Sequence, residues 1–338
     1  MTVTSFGQLA DGTEVPLITI SGGGLTVGVI GLGAVIRSLD FDAGAGPAPR
    51  VLGLQTLADY LTHSPSMGIV AGRYANRIGR ARFSLDGREI ALLPNEGRNQ
   101  LHGGPNGFGK RGWTLRDASS DRVILTLISE AGDQGYPGRL EATCSYRISG
   151  DGILSIELTA TTDAPTIINL ATHSYFNLDG SADILDHVLE IPAEDYTPVD
   201  AELIPTGEIV AVAGTPFDFR KARPVRFIVD GKRAGYDHNF IVARDKAPTP
   251  RLLARVTDGA GTVALEVHST EPGVQFYDGA YLAVPVKGLG GRTITSNGGL
   301  CLEPQIFPDT PNKPQFGSAV LRPGETYRQL TEYRFSAL

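Results

Sequence analysis

Apolar and polar residues alternate with a period of two through much of this chain. Residues 123–129, 153–160 and 263–268 each place apolar side chains at every second position. This spacing predicts β-strands with one buried face. Turn-forming pairs such as Asp86-Gly87 and Asp258-Gly259 lie beside such runs and indicate antiparallel hairpins.

Segments with helical periodicity are scarce, and residues 55–62 (QTLADYLT) are the best short candidate. The 42 glycines and 22 prolines suit a protein of strands and turns. The Gly/Pro-rich loops at residues 42–50 and 285–293 are short, so we interpret them as connections within one domain. The pattern predicts an all-β fold, a large antiparallel β-sandwich with few short helices, in a single domain over residues 1–338.

The uncharged stretch at residues 17–36 resembles a membrane span at first sight. Six glycines in twenty residues, with Thr19, Ser21 and Thr26, disfavour a spanning helix. The sequence at residues 31–36 begins like a dinucleotide-binding fingerprint, but Ile36 replaces the third glycine and no amphipathic helix follows. We therefore predict two strands near a sheet edge, and no membrane partner.

Composition narrows the class of partner. The net charge of −7 offers no basic stripe for phosphates, so we expect no nucleic-acid partner. Two cysteines, Cys144 and Cys301, form neither a disulfide framework nor a four-thiolate metal site. Cys144 alternates with polar neighbours and is predicted to be a small core residue. The N-terminus has no secretory pattern, so the expected location is the cytoplasm.

Four separated segments carry most of the chemistry. They are LHGG at His102, NLATHSYFNLDG at His173, YDHNF at Asp237 and GLCLEPQIFPD at Glu303. Each sets a group capable of proton transfer among glycine, aromatic or amide residues. Only the tertiary fold can bring together positions that are 71, 64 and 66 residues apart.

The last segment is predicted to be a strand. Leu300 and Leu302 would then face the core, whereas Cys301 and Glu303 face the other way. Pro304 is expected to end regular pairing, which places the Glu303 carboxylate at a strand end beside a cleft or solvent.

These four segments, with GRYANRIGR (residues 72–80) and PGVQFYDG (residues 272–279), resemble in the same order the aldose 1-epimerase family, the galactose mutarotases. The resemblance implies a single β-sandwich with the sugar in a cleft on a concave sheet face. It also implies a cofactor-free isomerase of carbohydrate metabolism that interconverts the α and β anomers of an unphosphorylated aldohexose such as galactose or glucose. Glu303 would be the general base and His173 the general acid.

The resemblance further implies a set of residues that bind the sugar: His102 near the ring oxygen, and Asp237, Arg77, Asn76 and Gln275. A nearby Glu303 carboxylate is expected to favour the imidazolium form of His173 by charge proximity. No close ligand pair such as HExxH or HxH occurs, so no metal is expected, and paired acid and base need no other cofactor.

Several alternatives stay open on the sequence. An epimerase of phosphorylated hexoses would need more basic residues around the cleft, and a glycoside hydrolase could use Asp237 and Glu303 as its carboxylate pair. A non-catalytic sugar-binding or sensor protein would have no need of Glu303 or His173. The sequence decides neither which aldose is preferred, nor the oligomeric state, nor whether Trp113 or Tyr277 stacks on the sugar.

Overall fold

The structure, a computed structural model, describes residues 1–226, 228–229, 231–233 and 235–338. Within these residues the chain forms 30 short and long strands and one α-helix. The strands in chain order are β1 (Thr2–Gln8), β2 (Glu14–Gly22), β3 (Leu25–Ile30), β4 (Val35–Asp42), β5 (Pro47–Pro49), β6 (Val70–Ala71), β7 (Arg77–Ile78), β8 (Arg82–Leu85), β9 (Arg88–Ala91), β10 (Gln100–Leu101), β11 (Thr114–Ala118), β12 (Arg122–Ser129), β13 (Leu140–Gly150), β14 (Ile153–Thr162), β15 (Thr166–Ile167), β16 (Ala171–Thr172), β17 (Tyr175–Phe176), β18 (Val188–Glu190), β19 (Asp195–Thr197), β20 (Val210–Ala211), β21 (Arg223–Pro224), β22 (Ile228–Val229), β23 (Lys232–Arg233), β24 (Asp237–Ile241), β25 (Arg251–Thr257), β26 (Val263–Ser269), β27 (Gly273–Tyr277), β28 (Leu300–Gln305), β29 (Val320–Leu321) and β30 (Tyr327–Ala337).

Helical structure is limited, as the sequence predicts. The α-helix α1 (Leu57–His63) begins at a capping box formed by Thr56 and Asp59, and it buries Leu57 and Tyr60. The predicted helix at residues 55–62 is confirmed to within two residues. Six 3₁₀ turns complete the helical elements of the described part of the chain: Gly79–Ala81, Phe108–Lys110, Asp133–Gly135, Leu289–Gly291, Thr310–Asn312 and Pro314–Phe316.

Three antiparallel sheets build the body of the protein. A nine-stranded sheet has the order β11-β12-β13-β14-β30-β26-β25-β18-β21, a five-stranded sheet runs β1 to β5, and a six-stranded sheet has the order β17-β28-β27-β24-β19-β20. Strand β2 lies against β12 and β13, and β25 lies against β27. Since one buried cluster contains Val27, Phe276 and Tyr333, all three sheets pack on the same core. The predicted antiparallel β-sandwich is confirmed.

Alternation along the strands decides which side chains enter that core. On β13, Leu140, Ala142, Cys144 and Tyr146 are buried, while their neighbours are more exposed. The prediction that Cys144 is a core residue is confirmed. The glycine-marked stretch at residues 17–36 contains part of β2, all of β3 and the start of β4, which confirms strands. The prediction of two strands near a sheet edge is wrong in number and place, because β3 is the central strand of the five-stranded sheet. Among the described residues no helix is long and apolar enough to cross a membrane.

Candidate active site

One face of the six-stranded sheet is built almost entirely of polar and aromatic side chains. The strand register aligns Glu303 on β28 with Gln275 on β27 and with Asn239 on β24. A second row on the same face runs Tyr175, Cys301, Tyr277 and Asp237. Because side chains alternate across a strand, Leu300 and Leu302 point into the main core instead. The predicted orientation of β28 is confirmed.

Glu303 is buried in this face. Its exposed fraction is 2%, and its Oε2 has no hydrogen-bond partner among the described residues. Burial raises the pKa of Glu303 well above its usual range; the charge of Asp237 adds to this rise and the charge of Arg77 opposes it. A buried carboxyl oxygen without a donor is costly, so a ligand hydroxyl at this position would be stabilising.

Two predictions about Glu303 are wrong. Strand β28 continues through Pro304, whose backbone pairs with Val274 in register. The Pro304 carbonyl also accepts a hydrogen bond from Gln329 Nε2 at 2.9 Å. Proline lacks only the N–H donor, and its carbonyl stays available, so the strand does not have to end there. Glu303 therefore lies within a strand and not at its end, but its carboxylate does border a cleft, as one of the two predicted alternatives stated.

His173 lies directly beside Glu303. Its main chain is fixed on both sides, since its N–H donates to Ile69 O and its carbonyl accepts from Gly68 N–H. His173 Nε2 lies 3.6 Å from Glu303 Oε1, and Nδ1 lies 3.5 Å from Cys301 Sγ. Burial lowers the pKa of His173 to about 4, only partly offset by its own backbone carbonyl.

This direction is opposite to the sequence-based expectation. The proximity of Glu303 predicted an imidazolium, but burial raises the pKa of Glu303 and lowers that of His173. Desolvation penalises both charged forms at once. Burial therefore favours the arrangement with the shared proton on Glu303 and a neutral His173.

His102 faces the same space from another part of the chain. It follows β10, which pairs with β7, and its ring lies 5.1 Å from that of His173. The backbone N–H of Asn76 donates to His102 Nδ1 at 3.1 Å. Nδ1 is thus an acceptor, so the neutral ring carries its proton on Nε2 and can donate from there. Burial lowers the pKa of His102 well below its usual value.

The turn that carries His102 depends on the glycine after it. Both Asn76 and His102 have left-handed backbone conformations, with φ of 62° and 50°. Gly103 has φ 85°, and a Cβ at this position would lie 1.9 Å from the carbonyl oxygen of Gly72. The first glycine of LHGG is therefore required by backbone packing, not by the approach of a ligand.

A polar chain extends from Glu303 toward the outside of the cavity. Gln275 Nε2 donates to Asp237 Oδ1 at 2.6 Å. Asp237 Oδ2 lies 3.7 Å from Arg77 Nη1. Arg77 in turn binds Glu96 through two hydrogen bonds of 2.6 and 2.8 Å. Burial raises the pKa of Asp237, although Arg77 and Gln275 oppose that rise.

A cavity of about 370 Å³ opens onto these groups. Its lining residues are Pro65, Ser66, Asn76, Arg77, Glu96, Leu101, His102, His173, Tyr175, Leu203, Asp237, Tyr277, Tyr281 and Glu303. Six of the seven site residues predicted from sequence are in this set. Gln275 is not; it is 3% exposed and lies behind Asp237.

The cavity also contains residues that the sequence analysis did not identify. Glu96 stands six positions before His102 in NEGRNQLHGG, but nothing in that spacing shows its contact with Arg77. Leu203 and Tyr281 come from loops that no motif marks. Tyr277 lines the cavity, whereas Trp113 is 3% exposed, donates to Phe108 O and belongs to the main core. Of the two aromatic residues considered from the sequence, Tyr277 and not Trp113 is thus available to a ligand, and Tyr175 and Tyr281 line the cavity as well.

His102, His173 and Glu303 also form the only group in the described residues that offers clustered metal-ligand atoms, all within 4.8 Å of one another. A metal on His102 Nε2 would need the ring proton on Nδ1, where the Asn76 N–H already donates. Two donors would then face each other. The donor set fits hydrogen bonding to a ligand better than metal coordination.

Comparison with known proteins gives consistent matches over the whole chain. A family profile described as aldose 1-epimerase matches residues 16–334. The galactose mutarotase of Rattus norvegicus is 42% identical over 346 residues, with 99% of this chain and 98% of that protein covered. The aldose 1-epimerase of Escherichia coli (strain K12) is 39% identical over 338 residues, with 97% of each chain covered.

Solved structures are similar as well. An aldose epimerase homologue from C. elegans superposes with a TM-score of 0.88 at 31% identity, covering 95% of this chain and 99% of that one. Galactose 1-epimerase from Lactobacillus acidophilus NCFM gives a TM-score of 0.84 at 26% identity, covering 99% and 98% of the two chains.

Proposed function

This chain belongs to the aldose 1-epimerase family and interconverts the α and β anomers of an aldose, and we propose that Glu303 and His173 carry its two proton transfers. The observation that carries the assignment is the separation of 3.6 Å between Glu303 Oε1 and His173 Nε2 at the floor of the cavity. A base and an acid at this distance can serve the anomeric hydroxyl and the ring oxygen of one sugar, because both oxygens are bonded to the same carbon.

In the proposed reaction Glu303 accepts the proton of the hydroxyl on C1. His173 donates a proton to the ring oxygen, the bond between C1 and that oxygen breaks, and an open-chain aldehyde forms. Rotation about the C1–C2 bond presents the other face of the aldehyde, and reclosure returns both protons. No atom or electron is gained or lost, so the site ends as it began.

The charge states of the pair support this sequence of steps. Ring opening begins with ionised Glu303 and protonated His173, and it ends with protonated Glu303 and neutral His173. The second arrangement is the one that burial favours, because it raises one pKa and lowers the other. We therefore propose that the desolvated site stabilises the open-chain intermediate relative to the ion pair that precedes it.

The remaining predicted residues are proposed to bind and orient the sugar. His102 Nε2 would donate near the ring oxygen, and Asp237 would accept from sugar hydroxyls. Arg77 and Asn76 line the cavity and are proposed as direct ligands. Gln275 is proposed to act through Asp237, whose carboxylate it holds at 2.6 Å.

A catalytic role is favoured over sugar binding alone. A binding protein could use the buried Glu303 carboxyl as an acceptor, but it has no need of a histidine whose Nε2 lies 3.6 Å from Oε1 of that carboxyl, whereas proton transfer needs both groups. We also propose that residues 1–338 form one domain, because a single buried cluster draws on strands from β2 to β30. A cytoplasmic location is proposed on the two free, buried thiols of Cys144 and Cys301.

Polarimetry of freshly dissolved α-D-galactose and α-D-glucose tests the function. The protein should accelerate the approach to anomeric equilibrium, and a His173→Gln variant should lose at least about 10²-fold of that acceleration. Glu157→Gln is the control, since Glu157 pairs with Arg328 on the nine-stranded sheet. Full activity in His173→Gln would refute the role of His173. Absence of acceleration with both hexoses would direct the search to another aldose.

A further inference from the structure

The contact between Glu96 and Arg77 differs from an ordinary surface ion pair. The Arg77 side chain is only 9% exposed, and Glu96 binds both its Nε and its Nη2, at 2.6 and 2.8 Å. Two parallel hydrogen bonds fix the plane of a guanidinium as well as its position. Arg77 Nη1 is then the nitrogen that faces Asp237 and the cavity.

The backbone holds Glu96 firmly in place. Residues 96–99 form a tight turn in which Glu96 and Asn99 exchange N–H···O bonds of 3.2 and 2.9 Å. Asn95 closes the base of this hairpin, because its side chain bonds both the N–H and the carbonyl of Leu101. Leu101 pairs with Arg77 across β10 and β7. The carboxylate and the guanidinium therefore stand on directly connected backbone segments.

The distance between Arg77 and Asp237 indicates what the contact with Glu96 does to Arg77. Arg77 Nη1 and Asp237 Oδ2 are 3.7 Å apart, which is longer than a charge-assisted hydrogen bond of about 2.7–2.9 Å. Arg77 is drawn to two carboxylates, and the bidentate contact with Glu96 keeps it short of direct contact with Asp237. One donor and one acceptor are thereby left open toward the same part of the cavity.

We propose that Glu96 is a positioning residue for the sugar: by holding Arg77 off Asp237, it keeps both side chains available to the same sugar hydroxyl. Without the Glu96 carboxylate, Arg77 would turn onto Asp237, and the two would satisfy each other instead of a ligand. The role of Glu96 rests on the proposed function, because Arg77 and Asp237 meet a hydroxyl only if the cavity binds a sugar.

The test is a Glu96→Gln variant assayed by polarimetry over a range of galactose concentrations. Gln keeps the size and one acceptor but lacks the charge and the second acceptor. Because the contact acts on binding and not on the reacting atoms, we expect KM to rise about tenfold with kcat within about twofold. Glu157→Gln is the matched control, since Glu157 is 39% exposed against 37% for Glu96 and lies 2.6 Å from its arginine.

Two further measurements separate positioning from a merely structural role. In an Asp237→Asn background, removal of the Glu96 charge should raise KM by less than about threefold. The reason is that a neutral residue 237 attracts Arg77 less strongly, so that Arg77 has less tendency to turn onto it. The charge of Glu96 also contributes to the raised pKa of Asp237, so the acid limb of kcat/KM should move to lower pH in Glu96→Gln. The melting temperature should match that of Glu157→Gln.

The possible outcomes separate the positioning role of Glu96 from the epimerase activity of the protein. An unchanged KM in a folded Glu96→Gln variant would overturn the role of Glu96 while leaving the epimerase activity intact. An equal effect in both backgrounds would also overturn it, because Glu96 would then not act through Arg77 and Asp237. An unmodified protein that is inactive on galactose, glucose and other aldoses alike would overturn the function proposed for the cavity, whatever the variant does.

Discussion

Replacing Glu303 with glutamine should abolish activity and at the same time stabilise the protein at neutral pH. Glu303 is 2% exposed, its nearest cationic group is a histidine whose pKa burial lowers to about 4, and one of its oxygens has no partner in the described structure. An ionised carboxyl in such a place costs folding free energy, and a neutral amide of the same shape avoids that cost.

The magnitudes follow from this environment. Loss of a positioned general base lowers the rate by about 10²- to 10⁴-fold. Relief of a buried, poorly paired carboxyl is worth about 1–3 kcal/mol. For a chain of 338 residues the entropy of unfolding is about 0.7 kcal/mol per degree, so the melting temperature should rise by about 1–4 °C.

The direction of the pKa shift of Glu303 determines how the stability of the protein changes with pH. Because the pKa of Glu303 is raised in the folded state, the folded protein binds more protons than the unfolded chain at pH values above the ordinary 4.5. The unmodified protein therefore loses stability as the pH rises through this window, and the variant does not. The difference between them should be small at pH 4.5 and should grow toward pH 8.

Calorimetry at both pH values, with polarimetry on the same samples, measures the two effects. Glu157→Gln is again the control, because its carboxylate is partly exposed and paired with Arg328. A Glu303→Gln variant that is less stable than the unmodified protein at pH 8 would refute the reasoning, since Glu303 would then be stabilised by its surroundings. A stability difference independent of pH would refute the assignment to charge.

Two other predictions concern the acid–base pair and a distant buried charge. Because burial lowers the pKa of His173 to about 4, the blank-corrected rate of mutarotation should fall on the acid side near pH 4, where His173 takes up a proton; an acid limb centred near 6.5, the ordinary pKa of histidine, would show that His173 titrates like an exposed side chain. Lys246→Met should destabilise the protein by about 1–3 kcal/mol in chemical denaturation near neutral pH, because Glu271 is fully buried and Lys246 Nζ lies 2.7 Å from its carboxylate. Adding Glu271→Gln should recover part of that loss, and no recovery would place the effect of Lys246 elsewhere, such as in its contact with the Tyr327 ring.

Local patterns in the sequence were sufficient for the fold class, and the resemblance to the aldose 1-epimerase family supplied most of the cavity residues. Alternation placed Cys144 in the core and set Glu303 on the face opposite Leu302, because side-chain direction in a strand depends only on position. The six motifs contain all seven predicted site residues, and all of these except Gln275 line the cavity, since Gln275 lies behind Asp237. The error at Pro304 came from a local rule about proline that ignores the carbonyl it keeps.

What the sequence supplied by itself is therefore the set of candidate reacting groups, through the family resemblance, and the direction in which each side chain leaves its strand. Only the tertiary structure decided the pKa values of these groups and which other residues hold them in place. The pKa of His173 is lowered to about 4, opposite to expectation, because burial depends on chain segments more than 60 residues away in sequence. Glu96 is part of the cavity for the same reason, because its contact with Arg77 arises from pairing between separate strands. The spacing of residues along the chain specifies neither the distance between two charges in the fold nor the dielectric environment around them.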